Sequence, residues 1–295
     1  MNDTYVEQIS ELKESEYLPL VIMALEEDHY KNDITSLSIF DQNHQSSANI
    51  ISKMDGIICG LEIIRSVFRY VDSNLEIATK FKDGNRISKE NIILQIKGNT
   101  NSLLSAERVA LNFIGMLSGI ATKVDTIVKQ LNPFQIQLLD TRKTIPGFRL
   151  LEKYAVAKGG GVNHRLHLED LILIKDNHIS AAGSIQQAIK KCKNRYPDKK
   201  CEVEVENIND LKMALTENPD IVLLDNMNPP SIKACTSLIH EYNKNHNKRI
   251  LIEASGGYNA ENVCTLQYTG IDFVSMGHIT HSISNFDFSM EILPN

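Results

Sequence analysis

The sequence predicts an α/β protein in which an α+β domain with an antiparallel sheet precedes a β/α barrel of fewer than eight strands. Two observations predict the barrel. After about residue 120, short apolar runs alternate with helix-like segments, which is typical of a buried parallel sheet. Most of these runs end in a polar residue, as expected where the βα loops of a barrel form one mouth. A third observation, mixed helical and hairpin patterns before about residue 100, predicts the separate α+β domain.

The amino-terminal domain is predicted from four local patterns. A helical pattern covers Leu18–Glu26, and Ile92–Ile96 has the composition of a strand. Asp55-Gly56 and Asp83-Gly84 each lie between apolar runs, which is the short-range signal of a β-hairpin. A strongly apolar helix is predicted over residues 105–120. Together these patterns indicate helices packed on an antiparallel sheet.

The barrel prediction depends on the order of the later elements. The predicted strands are Ile136–Leu139, Leu171–Ile174, Val203–Val205, Ile221–Leu224, Ile250–Ile252 and Phe273–Met276, and the predicted helices are Phe148–Lys158, Ser184–Arg195, Asn209–Thr216, Pro230–Asn243 and Ala260–Tyr268. An open, doubly wound sheet would give the same alternation, but polar residues at nearly every strand end favour a barrel. About six or seven strands can be counted, which predicts an incomplete barrel. No strand is followed by the glycine fingerprint of a dinucleotide site.

Composition limits the classes of function. The 295 residues have a formal net charge of −6, which argues against a general affinity for nucleic acid. The amino-terminal segment is charged rather than apolar, and no uninterrupted apolar run reaches the length needed to span a bilayer. The five cysteines are scattered without a C-x-x-C pair, which indicates reduced thiols rather than disulfides or a zinc site. We therefore expect a cytoplasmic protein that binds neither nucleic acid nor a membrane.

Basic residues are concentrated between residues 140 and 178. Arg142 and Lys143 follow one predicted strand, His164 and Arg165 follow a glycine triplet, and Lys175 ends the next strand. Each base alone is most simply a solvated surface charge, although Lys175 directly follows four apolar strand residues. At one barrel mouth the four permanent cations would repel one another. Such a cluster is favourable only when it binds a polyanion.

Carboxylates are concentrated in the next segment. Glu202, Glu204 and Glu206 alternate with valines, so their side chains share one face of a strand. Same-face neighbours about 7 Å apart repel by about 2 kcal/mol at an effective dielectric of 20. Inside a barrel this repulsion requires a base from a neighbouring strand or Mg²⁺ bound with a phosphorylated ligand, whereas an edge strand with one wet face would require neither. Asp225 ends the following strand, where it could bind ribose hydroxyls or metal-bound water, or act as a helix cap.

The last two predicted βα turns are rich in glycine. They contain Ser255-Gly256-Gly257 and Gly277-His278-Ile279-Thr280-His281-Ser282. Glycine lets the backbone approach an anion closely, and barrels frequently bind phosphate in the loops after their final strands. The position of these turns in the strand order therefore predicts a phosphate site.

Seven motifs in this order resemble the quinolinate phosphoribosyltransferase family along essentially the whole chain. They are SAERVALNFIGMLSGIAT, DTRKTIPGFRLLEKYAVAKGGGVNHR, LILIKDNH, EVEVEN, LLDN, EASGG and GHITHS. The resemblance implies an amino-terminal α/β sandwich domain (residues 1–116), an incomplete β/α barrel (117–279) and a carboxyl-terminal segment (280–295) that packs back onto the sandwich. It also implies a homodimer with shared active sites, or a larger oligomer built from such dimers.

The resemblance implies a role for each candidate site residue. Quinolinate is expected to contact Thr141, Arg142, Lys143, His164, Arg165 and Lys175, together with Arg108 from the partner subunit. Phosphoribosyl pyrophosphate is expected at Glu204, Asp225, Ser255, Gly256, Gly257, Gly277 and His281. Lys143, Lys175, Glu204 and Asp225 are the expected catalytic residues. Glu204 and Asp225 are also the expected contacts of substrate-bound Mg²⁺, and no redox cofactor is expected.

The implied reaction is phosphoribosyl transfer to quinolinate with decarboxylation, giving nicotinic acid mononucleotide for NAD synthesis. Two alternatives remain: a divergent relative with another acceptor, such as nicotinate, and a barrel lyase that forms a Schiff base at Lys175. The chain departs from the family pattern at Tyr30 and Asn32, where glycines are usual, and at His278, where a small residue is expected. These departures put the shapes of two loops in question.

Overall fold

The computed structural model describes residues 8–294, which form parts of two compact units. Among the described residues, the barrel unit comprises residue 8, Thr126–Arg149 and Gly161–His281. The sandwich unit comprises Ile9–Asp125, Leu150–Gly160 and residues 282–294. The domain boundaries given from the sequence, after residues 116 and 279, stay predictions.

The secondary structure alternates strands and helices throughout the described chain. The helices are α1 (Glu14–Glu27), α2 (Ile34–Ile39), α3 (Leu61–Val71), α4 (Thr100–Leu131), α5 (Arg149–Lys158), α6 (Asp176–Ala182), α7 (Ile185–Arg195), α8 (Ile208–Leu215), α9 (Pro229–His246) and α10 (His278–His281). The strands are β1 (Gln45–Ser52), β2 (Gly56–Ile57), β3 (Glu76–Ala78), β4 (Arg86–Ile87), β5 (Ile92–Asn99), β6 (Gln137–Leu139), β7 (Ile172–Ile174), β8 (Cys201–Val205), β9 (Ile221–Asp225), β10 (Leu251–Ser255), β11 (Phe273–Ser275) and β12 (Phe288–Ile292).

The sandwich unit is built on an antiparallel sheet in the order β12-β1-β5-β3. Ala48 and Ile50 of β1 stand opposite Ile96 and Leu94 of β5, and all four side chains are buried. These cross-strand apolar pairs stabilise the centre of the sheet. The carboxyl-terminal strand β12 pairs with β1 and completes the sheet on that side.

Helix α4 crosses from the sandwich unit into the barrel unit, and its sequence explains its burial. Fully buried residues recur every three or four positions, which is the spacing of one helix face. They are Leu103, Ala106, Ala110, Ile114, Leu117, Ala121 and Val124. By length and composition alone the stretch Thr100–Phe134 could cross a membrane, but core helices of soluble proteins pass the same test. Of its most apolar window, 61% is buried inside the protein.

Neither predicted hairpin forms, because the aspartates at both sites have other partners. The Asp55 carboxylate accepts the backbone N–H of Lys89, and strands β1 and β2 on either side of it do not pair with each other. The Asp83 carboxylate accepts the backbone N–H of Leu61 at the start of α3 and the hydroxyl of Tyr154. Asp83 and Gly84 do form a tight turn, closed by the Asn85 N–H and the Lys82 carbonyl, but the strands on either side of it, β3 and β4, do not pair with each other. Both aspartates tie distant segments together.

The barrel unit contains a parallel six-stranded sheet in the order β6-β11-β10-β9-β8-β7. The last strand along the chain, β11, lies beside the first, β6, as in a closed barrel. Val162 adds a single parallel bridge to the other side of β6, at Leu139. Among the described residues no strand pairing joins this bridge to β7, so the β/α barrel is incomplete.

Side chains inside the barrel change from apolar to polar toward the carboxyl ends of the strands. Leu139, Leu171, Ile221, Leu251 and Phe273 form a buried apolar layer at the lower end. Because side chains alternate along a strand, β9 then places Leu223 and Asp225 above Ile221 on the same face. Strand β10 places Glu253 and Ser255 above Leu251 in the same way. This gradient puts the chemically active groups at the mouth.

One predicted helix of this unit is absent. Instead of a helix over 260–268, the chain forms a short 3₁₀ turn at Val263–Leu266. The side chain of Asn259 accepts the backbone N–H of Glu261, and that of Asn262 accepts the N–H of Asn259. Such local side-chain bonds compete with helical hydrogen bonds. The helices α2, α3, α6 and α10 were not predicted. The other predicted helices are present with ends shifted by a few residues, apart from α4, which continues to Leu131.

Candidate active site

A cavity of about 570 Å³ opens at the carboxyl ends of the barrel strands. Its lining residues come from all six strands or the loops that follow them. They include thirteen of the fourteen site residues predicted from the sequence: Thr141, Arg142, Lys143, His164, Arg165, Lys175, Glu204, Asp225, Ser255, Gly256, Gly257, Gly277 and His281. Arg108, the exception, is exposed on α4 in the sandwich unit. The cavity therefore has the concave shape and convergent polar groups of a ligand site.

The basic side of the pocket is crowded with positive charge. Burial and the nearby charge of Arg142 both lower the pKa of Arg165. The Nε atom of Arg142 is buried and has no hydrogen-bond partner. A buried donor without an acceptor is costly unless a ligand supplies the acceptor. The basic side is therefore preorganised for an anion.

The loop after β6 is held in place by side-chain hydrogen bonds. The Thr141 hydroxyl accepts the backbone N–H of Lys143 at 3.1 Å, and the Thr280 hydroxyl donates to the Lys143 carbonyl at 2.7 Å. Arg149 donates to the Thr144 hydroxyl at 3.2 Å and to the Leu166 carbonyl at 3.1 Å. These contacts hold the Arg142 loop and the Arg165 segment in fixed positions on either side of the cavity.

Both ring nitrogens of His164 are used inside the protein. Nδ1 accepts the backbone N–H of Arg165 at 2.7 Å, and Nε2 lies 3.1 Å from Oε2 of Glu202. Since Nδ1 is an acceptor, the proton of a neutral ring is on Nε2 and is donated to Glu202. His164 lines the cavity, but it has no uncommitted ring nitrogen to offer a ligand.

The acidic side faces the bases across the cavity. Lys175 Nζ lies 3.2 Å from Glu204 Oε2, so the base from a neighbouring strand that the glutamate pattern requires is present. Burial raises the pKa of Glu204, the charge of Lys175 opposes this rise, and the charge of Asp225 adds to it. The amide of Asn226 donates to Asp225 Oδ2 at 2.6 Å and fixes that carboxylate. Glu204 and Asp225 offer the oxygen ligands that Mg²⁺ prefers, and their mutual repulsion favours a divalent cation.

The three glutamates of the alternating run have different environments. Glu206 is exposed at the end of β8, and Glu204 is half-buried at the mouth. Glu202 is fully buried deeper in the barrel, where burial raises its pKa to about 8 and a hydrogen bond with Glu253 and the charge of Arg165 act in the opposite direction. The run is therefore an interior strand rather than an edge strand with one wet face.

The glycine turns approach other parts of the site too closely for a larger residue. Gly256 has a φ of +108°, and a Cβ there would lie 2.2 Å from the side-chain oxygen of Asn226. A Cβ at Gly277 would lie 2.8 Å from Cδ of Lys143. Glycine at both positions thus brings the final two loops against the loops that contain Asp225 and Lys143.

The cavity also contains residues that the sequence analysis did not select. They are Leu173, Leu223, Asn226, Glu253, Tyr258, Ser275, Met276 and His278. Glu253 and Asn226 could have been found, because both end or directly follow a predicted strand. Tyr258, whose hydroxyl donates to the Met227 carbonyl at 3.2 Å, follows the glycine turn and has no such signal.

The altered loop near the amino terminus forms a 3₁₀ turn over Tyr30–Asn32. The one left-handed residue in it is His29, at φ +49°, rather than Tyr30 or Asn32, which replace the usual glycines. Neither replacement is therefore strained. Asp33 follows and caps α2 by accepting the backbone N–H groups of Thr35 and Ser36.

Family models match nearly the whole chain. The N-terminal domain of quinolinate phosphoribosyl transferase matches residues 33–118, and the C-terminal domain matches residues 120–291. A probable nicotinate-nucleotide pyrophosphorylase [carboxylating] of Bacillus subtilis is 40% identical over 267 residues, covering 90% of each chain. A protein of the same description from Methanocaldococcus jannaschii is 37% identical over 279 residues, covering 94% of this chain and 97% of its own.

Solved structures agree with these relatives. The nicotinate-nucleotide pyrophosphorylase from Francisella tularensis superposes with a TM-score of 0.91 at 38% sequence identity. That match covers 97% of this chain and 99% of the other. The likeness extends over both units of the fold.

Proposed function

This chain belongs to the quinolinate phosphoribosyltransferase family, and we propose that the pocket at its barrel mouth carries out the family's reaction with the residues gathered there. The enzyme transfers the phosphoribosyl group of phosphoribosyl pyrophosphate to quinolinate with loss of CO₂, giving nicotinic acid mononucleotide and pyrophosphate for NAD biosynthesis. The observation that carries the residue assignment is the pocket itself, where an unpartnered buried Arg142 nitrogen and three further cations face Glu204 and Asp225.

The basic side is the proposed quinolinate site. Quinolinate has two adjacent carboxylates, and Arg142, Lys143, Arg165 and Lys175 supply four positive charges to match them. The planar guanidinium of each arginine suits a carboxylate, whereas each lysine adds a compact charge. Their main contributions would be charge and position, since the pyridine nitrogen must point toward the sugar.

The acidic side is the proposed ribose site. The pyridine nitrogen attacks the anomeric carbon as pyrophosphate leaves, and positive charge develops on the sugar in the transition state. Glu204 and Asp225 would stabilise that charge, and the backbone N–H groups around Gly256, Gly257 and Gly277 would contact phosphate oxygens. We propose that Glu204 and Asp225 also hold substrate-bound Mg²⁺, which when bound neutralises charge on the leaving pyrophosphate.

Decarboxylation follows from the new bond. Ribosylation makes the ring nitrogen formally positive, so the electron pair left on the adjacent ring carbon when CO₂ departs is stabilised within the ring. That carbon then takes a proton, and Lys143 and Lys175 are the proposed acids of the pocket. This chemistry requires no redox cofactor.

A Schiff-base mechanism at Lys175 is disfavoured by the geometry. A lysine that attacks a carbonyl must lose its proton, which desolvation or a neighbouring cation promotes. Lys175 instead forms an ion pair with Glu204 and its side chain is 47% exposed, so it is not in the desolvated setting of a Schiff-base lysine. Borohydride trapping with a carbonyl substrate should therefore give no adduct.

We also propose a cytoplasmic homodimer in which Arg108 of one subunit reaches the pocket of the other. In its own chain Arg108 is exposed and belongs to the sandwich unit. Four large apolar side chains of α1 and α2 are also exposed in that unit, namely Met23, Ile34, Leu37 and Ile39. Exposed apolar surface of this kind supports contact with a second copy. The unpaired thiols of the described cysteines fit a reducing compartment.

The reaction is tested by supplying the purified protein with quinolinate, phosphoribosyl pyrophosphate and Mg²⁺, then measuring nicotinic acid mononucleotide and CO₂. A parallel reaction contains nicotinate instead of quinolinate. We expect product with quinolinate only, because a single carboxylate leaves part of the basic cluster unmatched. Product with nicotinate alone would assign the pocket to a different acceptor.

A further inference from the structure

Two buried carboxyl groups, one below the pocket and one in its lining, have no part in the reaction described above. Glu202 of β8 and Glu253 of β10 are 0% and 1% exposed. Oε2 of Glu202 lies 3.1 Å from Nε2 of His164, and Oε2 of Glu253 lies 3.7 Å from the same atom. Glu202 is paired in register with Ile221, a member of the apolar layer, so its carboxyl group is far from solvent. Such burial is costly and calls for a compensating role.

The His164 ring connects these carboxyl groups to the quinolinate site. Its Nδ1 accepts the backbone N–H of Arg165 at 2.7 Å. The backbone N–H of His164 itself donates to the buried carboxylate of Asp140 at 2.8 Å. The ring is thus the only described side chain that both contacts Glu202 by a hydrogen bond and accepts the Arg165 backbone. If the ring turned, the Arg165 backbone would lose its acceptor.

The Arg165 side chain depends on this backbone position. Its guanidinium donates to the Leu171 carbonyl at 3.1 Å. The position of the Arg165 backbone then determines where the remaining N–H groups of the guanidinium point. Arg165 and Glu202 also attract each other electrostatically. An arginine that binds a carboxylate through two N–H groups needs a guanidinium in a fixed position, because bidentate binding tolerates little displacement.

The same three side chains offer possible metal-ligand atoms within 4.8 Å of one another. A metal is not needed to explain the cluster. A hydrogen bond from Nε2–H of His164 accounts for the 3.1 Å contact with Glu202, and the Glu202 and Glu253 carboxyl groups are hydrogen-bonded to each other. The direction of the Nδ1 bond, which fixes the proton on Nε2, favours hydrogen bonding over metal binding.

We propose that Glu202 and Glu253 are positioning residues for quinolinate: they hold the His164 ring in one tautomer and orientation, and the ring holds Arg165 toward the substrate. The proposal rests on the assignment of Arg165 to quinolinate made above. It adds two residues to the site, Glu202 below the pocket and Glu253 in its lining, and it gives His164 a positioning role.

The first test is steady-state kinetics of Glu202→Leu and Glu202→Gln, with Glu206→Gln as the matched control because Glu206 is an exposed carboxylate at the end of the same strand. Leucine removes the acceptor for His164, whereas glutamine keeps an oxygen that can accept it. We expect Glu202→Leu to raise the KM for quinolinate about tenfold, the upper end of what one hydrogen bond contributes, with the KM for phosphoribosyl pyrophosphate little changed. Glu202→Gln should recover most of the loss, and Glu206→Gln should match the unsubstituted enzyme.

Different results would contradict the positioning role and the assignment of Arg165 to quinolinate. A Glu202→Leu enzyme with an unchanged KM for quinolinate, or with both KM values raised alike, would overturn the positioning role. An Arg165→Ala enzyme with an unchanged KM for quinolinate would instead overturn the substrate assignment on which the proposal rests. Glu253→Gln should give a smaller selective rise in the quinolinate KM than Glu202→Leu, because Glu253 lies farther from the ring.

A second measurement is made on the unsubstituted protein and needs a variant only to assign one signal. Nitrogen NMR of histidine-labelled, unsubstituted protein distinguishes a protonated from an unprotonated ring nitrogen, and His164→Asn identifies the signal. We expect Nδ1 of His164 to be unprotonated and Nε2 to bear the proton. A proton on Nδ1, or a ring charged at neutral pH, would contradict the hydrogen-bond chain that the proposal describes.

Discussion

Arg165 is the residue whose loss should affect quinolinate most selectively. Its backbone is held by His164 and its guanidinium by the Leu171 carbonyl. We expect Arg165→Ala to raise the KM for quinolinate well beyond tenfold, because charge-assisted hydrogen bonds contribute about 1.5–3 kcal/mol each. The control is Arg195→Ala, which removes an exposed arginine at the end of α7. Equal kinetics for the two variants would remove Arg165 from the substrate site.

At this scale the sequence identified residues through their position at strand ends. Lys175 and Asp225 directly follow or end apolar runs, so their place at the mouth could be predicted without a structure. The different burial of Glu202 and Glu204 could not, because alternation gives the face of a strand but not the depth along the barrel. The orientation of the His164 ring was equally out of reach, because a motif names the residues but not which ring nitrogen contacts Glu202 and which contacts the Arg165 backbone.

The turn after β10 gives a prediction at the scale of one element, using adjacent glycines. Gly256 and Gly257 both have positive φ, at +108° and +65°. An added Cβ would collide with Asn226 at Gly256 and meets nothing within 4 Å at Gly257. Gly257→Ala should therefore cost only the left-handed strain of about 1–2 kcal/mol, and Gly256→Ala clearly more. Thermal unfolding without ligand compares the two, and a larger loss for Gly257→Ala would contradict the close approach of the loops.

Helix α2 gives a second prediction, through pH. A hydrogen bond from the Ser36 hydroxyl, followed by backbone N–H bonds from Ser36 and Thr35, holds the pKa of Asp33 below its usual value. A depressed carboxyl pKa stabilises the fold above the ordinary pKa of about 4, and this contribution is lost as the pH falls through the folded value. Asp33→Ala should lower the free energy of unfolding by about 1 kcal/mol at neutral pH and by less in acid.

Urea unfolding at neutral pH and in acid measures how much stability Asp33→Ala loses under each condition. The exposed Asp41, beyond the end of the same helix, is the control position. Asp41→Ala should change stability little at either pH, because only Asp33 caps the helix in the described structure. A constant difference between Asp33→Ala and the unsubstituted protein at all pH values would show that the carboxylate charge is not involved.

Elements were predictable where the apolar pattern was long or regular. The strands β6 to β11 match their patterns because most of their residues are buried on both faces, and the helices α7 to α9 match because each has one buried face. The failures occurred where polar side chains bond locally or at a distance, as Asn259 and Asn262 do in place of a helix and Asp55 and Asp83 do in place of hairpins. Propensity alone does not contain those partners.

Across the whole molecule, the two compact units are each assembled from separate stretches of chain. The sandwich unit contains most of α5 and the final strand β12. Gly119 of α4 allows this, since a Cβ there would lie 2.1 Å from the Ser284 carbonyl of the carboxyl-terminal segment. Local patterns predicted the strands of the barrel unit and, in the sandwich unit, only β5. The resemblance implied that the carboxyl-terminal segment returns, whereas the α5 segment was assigned to the barrel from the sequence.

The proposed shared site makes a prediction that only the assembled molecule can meet. Arg108→Ala and Lys175→Ala should each inactivate the enzyme, one through the partner's pocket and one through its own. In a mixed dimer one pocket then combines an intact barrel with an intact Arg108, and the other pocket has both defects. With random exchange of subunits, about a quarter of the unsubstituted activity should return on mixing.

Size-exclusion chromatography confirms the dimer, and Lys175→Ala mixed with Lys143→Ala is the control. Those two residues line the same pocket, so their mixture should stay inactive. If Arg108 served its own subunit, no pocket in the first mixture would be intact, and activity would not return.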